Sequence, residues 1–152
     1  MRALTHSTRW HDAKGAAMTK AEARSFLNRV KVIVKREERI IRQIQKLEQR
    51  QLDITSKLTG MPRGSTPFTT EDYAVNVRDL TEELEKELAA ERQAYKEVLV
   101  VLNTFEGLTR DILIEHYLLL DTWEVVAVRY NKTYRWLQEL NRRAVKKIAE
   151  NF

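Results

Sequence analysis

Residues 122–149 read TWEVVAVRYNKTYRWLQELNRRAVKKIA, and this stretch decides the fold class of the C-terminal part of the chain. Thr122 stands where an N-cap hydroxyl can accept from a backbone N–H two or three residues on. Trp123, Val126 and Ala127 then recur at helical spacing. Asn131 follows, one of the few residue types that tolerate a left-handed backbone. Thr133 offers a second cap, for a final helix running toward Phe152. A short helix, a three-to-four-residue turn and a longer basic helix make up the layout of a helix-turn-helix. Ala127 suits it, because a small side chain lets two crossing helices approach.

The final helix divides cleanly when positions are spaced at ~100° per residue. With Leu137 at zero, Leu140, Ala144 and Ile148 fall within ~60° of it and form an inward face. Arg135, Glu139, Arg142 and Lys146 fall within ~40° of the opposite side, flanked by Gln138 and Arg143. Hydrogen-bonding side chains thus lead the outer face and cations follow. A helix that enters a major groove needs this order: early turns meet base edges, later cations meet the backbone. Arg suits guanine, Gln adenine, and Glu can accept from cytosine. Trp136, ~100° from the inward centre, is read as a boundary packing residue.

Upstream, apolar residues at Phe26, Val30, Ile33, Ile40, Ile44, Leu47, Ile54 and Leu58 step by threes and fours, with gaps at Glu37 and Gln51. This predicts one helix from about Lys20 to Leu58. Both prolines and two of the four glycines fall in Gly60-Met61-Pro62-Arg63-Gly64-Ser65-Thr66-Pro67, a loop signal that places a turn at 60–70. A second helix is expected after a cap at Thr70. Glu71 and Asp72 favour its positive end, and its stripe is Tyr73, Val77, Leu80, Leu84, Leu88, Tyr95, Val98, Leu102 and Phe105. Two helices of matched length joined by a short turn predict an antiparallel hairpin over residues 18–106. Leu27, Val34 and Ile41 widen the first stripe and call for a second contact, with the C-terminal region or with another copy of the chain in a homodimer. After Gly107, Leu108, Ile112, Leu113, Tyr117 and Leu120 predict a short apolar helix that ends at Asp121. The expected organisation is a flexible extension over 1–17, the hairpin, and a helix-turn-helix domain over 107–152.

Composition bounds the rest. The chain has 152 residues, 43% hydrophobic and 32% charged, with a net charge of +5 and no cysteine. That excludes a disulfide scaffold and thiolate metal sites, and fits a reducing compartment. The longest apolar run, Val98–Leu102, is far short of the ~20 residues of a membrane span, and no leader segment is expected at the start. Charge is unevenly distributed: residues 1–50 carry +8, 71–106 carry −6, and 131–152 carry +4. The first two can neutralise each other across a hairpin, which leaves the closing segment as the candidate for phosphate. No glycine-rich phosphate loop, Gly-x-Ser-x-Gly elbow or helical His pair is present, so no enzyme, cofactor or metal is expected. His6, His11 and Asp12 belong to the extension rather than to a metal site, and His116 reads as a packed or surface histidine. Glu82, Glu83, Glu85 and Glu87 read as a solvated or salt-bridged face of the hairpin.

The runs Thr122-Trp123-Glu124-Val125-Val126-Ala127, Thr133-Tyr134-Arg135 and Ala144-Val145 resemble the region-four helix-turn-helix of sigma factors. Together with the Gly60-Met61-Pro62-Arg63-Gly64 turn, they look closer still to the sigma-like late transcription regulators of temperate phages, the ArpU type. The resemblance spans roughly Met18 to Ile148. It implies a DNA-binding regulator in the cytoplasm of a bacterial host, a late-gene activator that touches host RNA polymerase. On the matching positions it implies base contacts from Tyr134, Arg135, Gln138 and Glu139, to which the outer-face geometry adds Arg142. Backbone contacts are expected from Lys132, Thr133, Arg143, Lys146 and Lys147. The sequence departs from the family at Asn131 (usually glycine), Lys132 (often aromatic) and Trp136 (usually smaller and polar), so the target sequence does not carry over. The alternative is a coiled-coil assembly protein with auxiliary DNA binding, such as a phage small terminase subunit. Those usually place the DNA domain first, the reverse of the order here.

Overall fold

The computed structural model describes residues 18–58 and 70–152. The extension at 1–17, with His6, His11 and Asp12, and the turn between Gly60 and Pro67 lie outside the described residues. Those described form six helices: α1 (Lys20–Leu27), α2 (Arg29–Leu58), α3 (Thr70–Leu102), α4 (Gly107–Tyr117), α5 (Trp123–Tyr130) and α6 (Tyr134–Asn151). The protein is all-α, as its periodicity predicts. It divides into two compact units, one containing the chain up to Lys31 together with Gln93–Phe152, the other Val32–Arg92.

The single helix expected over Lys20–Leu58 is instead two. At Asn28 the backbone leaves helical geometry (φ −85°, ψ 2°), and its side-chain amide donates to the Arg24 carbonyl at 2.9 Å. An Asn that satisfies the preceding turn in this way competes with continuation of the helix. The separated α1 opens on a capping box: Thr19 Oγ1 accepts from the Glu22 N–H at 3.1 Å, and the Glu22 carboxylate accepts from the Thr19 N–H at 2.8 Å. It buries Ala23, Phe26 and Leu27 and packs on α6. Of the residues that widened the first stripe, Leu27 therefore finds its second contact within its own chain, whereas Ile41 stays exposed.

In Val32–Arg92 the long helices run antiparallel, with Arg36 facing Glu87 at 3.9 Å; in the other unit Arg29 pairs with Glu97. Their shielded positions keep a strict seven-residue repeat: Val30, Ile33, Glu37, Ile40, Ile44, Leu47, Gln51 and Ile54 on α2; Tyr73, Val77, Leu80, Leu84, Glu87, Glu91, Ala94, Val98 and Val101 on α3. The seam thus passes through the two gaps of the first stripe. On α3 it departs from the expected one, because Leu88 is 38% exposed while Glu87 and Glu91 turn inward. Two consecutive steps of four, from Leu80 through Leu84 to Leu88, rotate off a 3.5-residue seam; the step of three to Glu87 stays on it. Of the two alternatives the charge pattern offered, Glu87 takes the salt-bridged one, beside Arg36.

The seam polarity is concentrated at Glu37, which is only 7% exposed and has one carboxylate oxygen without a hydrogen-bond partner. Burial, then the charge of Glu91, a hydrogen bond shared with Glu91, and the charge of Glu87 push its pKa up to about 7.

Candidate nucleic-acid interface

Three short helices build the site. α4 begins at Gly107, whose φ of +59° suits glycine at the sharp entry from α3. It ends at Tyr117 rather than near Leu120, and Leu120 sits in the left-handed region (φ 61°) of the turn into α5. Leu108, expected on the apolar face, is 41% exposed. Ile112 of α4, Val126 of α5 and Leu137 of α6 form a fully buried cluster, with Trp123, Ala127, Tyr130 and Leu140 packed against it.

Polar contacts then fix α5 on α4. Arg129 pairs with Glu115 and, at 2.8 Å, with Asp121, while the Tyr130 hydroxyl donates to Glu115 at 2.7 Å. His116 stacks on Trp123 with ring centroids 3.7 Å apart. Its Nδ1 lies 2.8 Å from the Asp121 carbonyl oxygen and, as the donor, leaves Nε2 as the acceptor of the neutral ring. Burial lowers its pKa below 6.5. His116 is thus a packed histidine that clamps the α4–α5 turn. Among the described residues no group of His, Asp or Glu is arranged to hold a metal ion.

The turn from α5 to α6 has the predicted chemistry. Thr122 Oγ1 accepts from the Val125 N–H (3.4 Å) and Thr133 Oγ1 from the Trp136 N–H (3.1 Å), so both threonines cap. Between them Asn131 adopts φ 51°, ψ 47°. Its N–H bonds back to the Val128 carbonyl, and the Lys132 N–H to that of Ala127 at 3.0 Å. This pair of bonds is the Schellman closure, in which a left-handed residue satisfies the last carbonyls of a helix. Three residues, 131–133, therefore set the direction in which α6 leaves.

α6 buries Leu137, Ala144, Val145, Ile148 and Ala149, a wider inward face than expected because α1 packs on it too. Leu140 is only partly buried. Tyr117 of α4 donates to Asn141, and burial pushes the Tyr117 hydroxyl up to about 12. Asn141 was not singled out by sequence. Its only sequence signal is a lone amide on an otherwise apolar stripe.

The outer face carries Arg135, Arg142 and Lys146, all exposed, with Glu139 half-buried among them. Tyr134 is 52% exposed, Gln138 half-buried and Thr133 engaged as a cap. Arg142 forks onto the Glu139 carboxylate through Nε (3.1 Å) and Nη2 (2.8 Å), and Arg143 Nε joins it at 3.2 Å. Arg142 and then Arg143 hold Glu139 down at about 2. Lys132 Nζ lies 4.8 Å from the Trp136 ring centroid and Lys147 Nζ 4.9 Å from that of Phe105, each within cation–π range. Among the described residues, Arg135 and Lys146 are the cations of this face with neither an ion-pair nor a ring partner. The fold thus gathers all ten expected contact residues on α6 and the turn before it, but five of them already hold one another or an aromatic ring.

Comparison with family models, with curated proteins and with solved structures returns no match.

The triad of Glu139, Arg142 and Arg143 yields a direct expectation. Glu139→Gln removes an anion and releases two guanidinium groups. Duplex DNA affinity should rise, and the slope of log K against log salt should steepen by ~1 or more, read by fluorescence anisotropy across a salt series. An unchanged slope would mean that Arg143 faces no phosphate.

Proposed function

We propose that the protein is a sequence-specific, DNA-binding transcriptional regulator of the late-gene-activator kind that its resemblance implies. The observation that carries this reading is the outer face of α6, an exposed basic helix set by a left-handed three-residue turn on a small helical core. In this reading α6 lies in the major groove. Tyr134, Arg135, Gln138, Glu139 and Arg142 approach base edges, and Lys132, Thr133, Arg143, Lys146 and Lys147 approach phosphates. Arg135 bears most of the discrimination, because its guanidinium has no carboxylate to leave and can present a bidentate fork to guanine. Glu139 plays two parts: it restrains Arg142 and Arg143 in the free protein, and it can accept from cytosine once they turn to the duplex. The helical hairpin serves as an assembly arm, and host RNA polymerase is the partner that the resemblance supplies. Among the described residues no helix is long and apolar enough to cross a membrane.

The test is selection of bound duplexes from a random pool, followed by isotherms on the enriched sequence and a scrambled one. A defined consensus is expected, and Arg135→Ala should erode discrimination by ~1–3 kcal/mol while leaving scrambled-duplex binding nearly intact. A pool that does not converge would refute sequence-specific regulation.

A further inference from the structure

Beside the outer face of α6 lies a groove of about 310 Å³, walled by α6 and by residues at the exit of α3 and the start of α4. Trp136, Leu140 and Phe105 provide its apolar surface, and Arg143 and Lys147, one turn apart on α6, provide its cations. Thr109 presents a half-buried hydroxyl from the first turn of α4. Glu139 also lines the groove, but its carboxylate is engaged by two arginines, so the anion most exposed to an incoming ligand is already neutralised.

Position argues for the occupant. Trp136 and Arg143 each follow by one residue a member of the outward row, Arg135 and Arg142. They therefore sit ~100° round the helix from side chains proposed to meet base edges. A helix lying in a major groove is bordered by the two phosphodiester strands, and its flanks meet them. Cations and a hydroxyl over an apolar wall match a sugar-phosphate strand: phosphate oxygens accept from Arg143, Lys147 and Thr109, and deoxyribose carbons pack on Trp136 and Leu140. We propose that this groove seats one strand of the bound duplex, making Thr109 and Trp136 part of the DNA interface. This inference rests on the regulator reading and extends the interface from α6 to α4.

Thr109→Glu tests it without threatening the fold, because a carboxylate in the first turn of a helix is favourable to the dipole. Measured by anisotropy on a random-sequence duplex over a salt series, Thr109→Glu should bind about tenfold more weakly, with the salt slope reduced by ~1. Lys147→Gln should reduce the slope by ~0.9. Parent-like binding by Thr109→Glu and Lys147→Gln together would overturn the assignment and give the groove to an acidic protein partner. Failure of the parent chain itself to bind duplex would overturn the regulator reading, and this inference with it.

Discussion

Leu137→Ala is expected to destabilise the α4–α6 core by about 2–5 kcal/mol, the usual range for emptying a fully buried leucine site. Leu137 is wholly buried, on the helix that carries the proposed interface, between Ile112 of α4 and Val126 of α5. Two of the three helices are short, α5 with 8 residues and α4 with 11, and such helices are marginal alone, so their order depends on this shared contact. Urea denaturation followed by tryptophan fluorescence reads the loss directly, because Trp123 packs on the cluster. A shift below about 1 kcal/mol would mean that the site collapses around the missing atoms, or that the cluster does not hold these helices together. DNA affinity should fall only as the folded fraction falls, which separates a supporting residue from a contacting one.

The second large effect is opposite in sign. Glu37→Leu should stabilise the hairpin above neutral pH by about 1–4 kcal/mol, since a buried carboxylate facing two others is replaced by an apolar side chain of similar size. The pH dependence follows from the raised pKa of Glu37. Below about 4.5 the carboxyl is protonated folded or unfolded, and no charge is buried. As pH rises toward about 7, the unfolded chain releases its proton first, and stability falls by roughly 1–3 kcal/mol. His116 acts the other way. Its lowered pKa favours the neutral ring in the fold, so its contribution is present above 6.5 and is lost as pH falls through its lowered value. Denaturation of the parent chain and of Glu37→Leu at about pH 5 and about pH 8 separates the two groups, because the difference between the chains cancels His116. A difference that does not grow with pH would mean that Glu37 is solvated and the seam is open at that level.

The residues that were legible in the sequence share a physical trait: their signal is local. The caps at Thr122 and Thr133, the left-handed Asn131 and the α2 period are each set within a few residues, and the structure reproduces them. The apolar stripe running past Asn28 concealed the break there, where the side-chain amide bonds back to the Arg24 carbonyl and a separate helix begins at Arg29. Leu88 continues the hydrophobic stripe but leaves the 3.5-residue period, which Glu87 and Glu91 keep. What the sequence did not reveal is non-local. The packing of α1 on α6 depends on contacts more than a hundred residues apart. The Tyr117–Asn141 bond and the groove at Thr109 depend on how helices meet. The capture of Arg142 and Arg143 by Glu139, three and four residues earlier on the same helix, is local by contrast, and residue type without spacing makes both look like free cations.

The most direct measurement is the affinity of the purified chain for double-stranded DNA as a function of salt. If α6 presents its cations to phosphates, log K falls linearly with log salt, with a slope near −0.9 for each phosphate neutralised, about −3.6 when all four flanking cations, Lys132, Arg143, Lys146 and Lys147, are engaged. Lys146→Ala, which removes a cation with no partner in the free protein, should reduce that slope by ~1. Salt-insensitive binding, or no retention of duplex at low salt, would contradict the account at its centre.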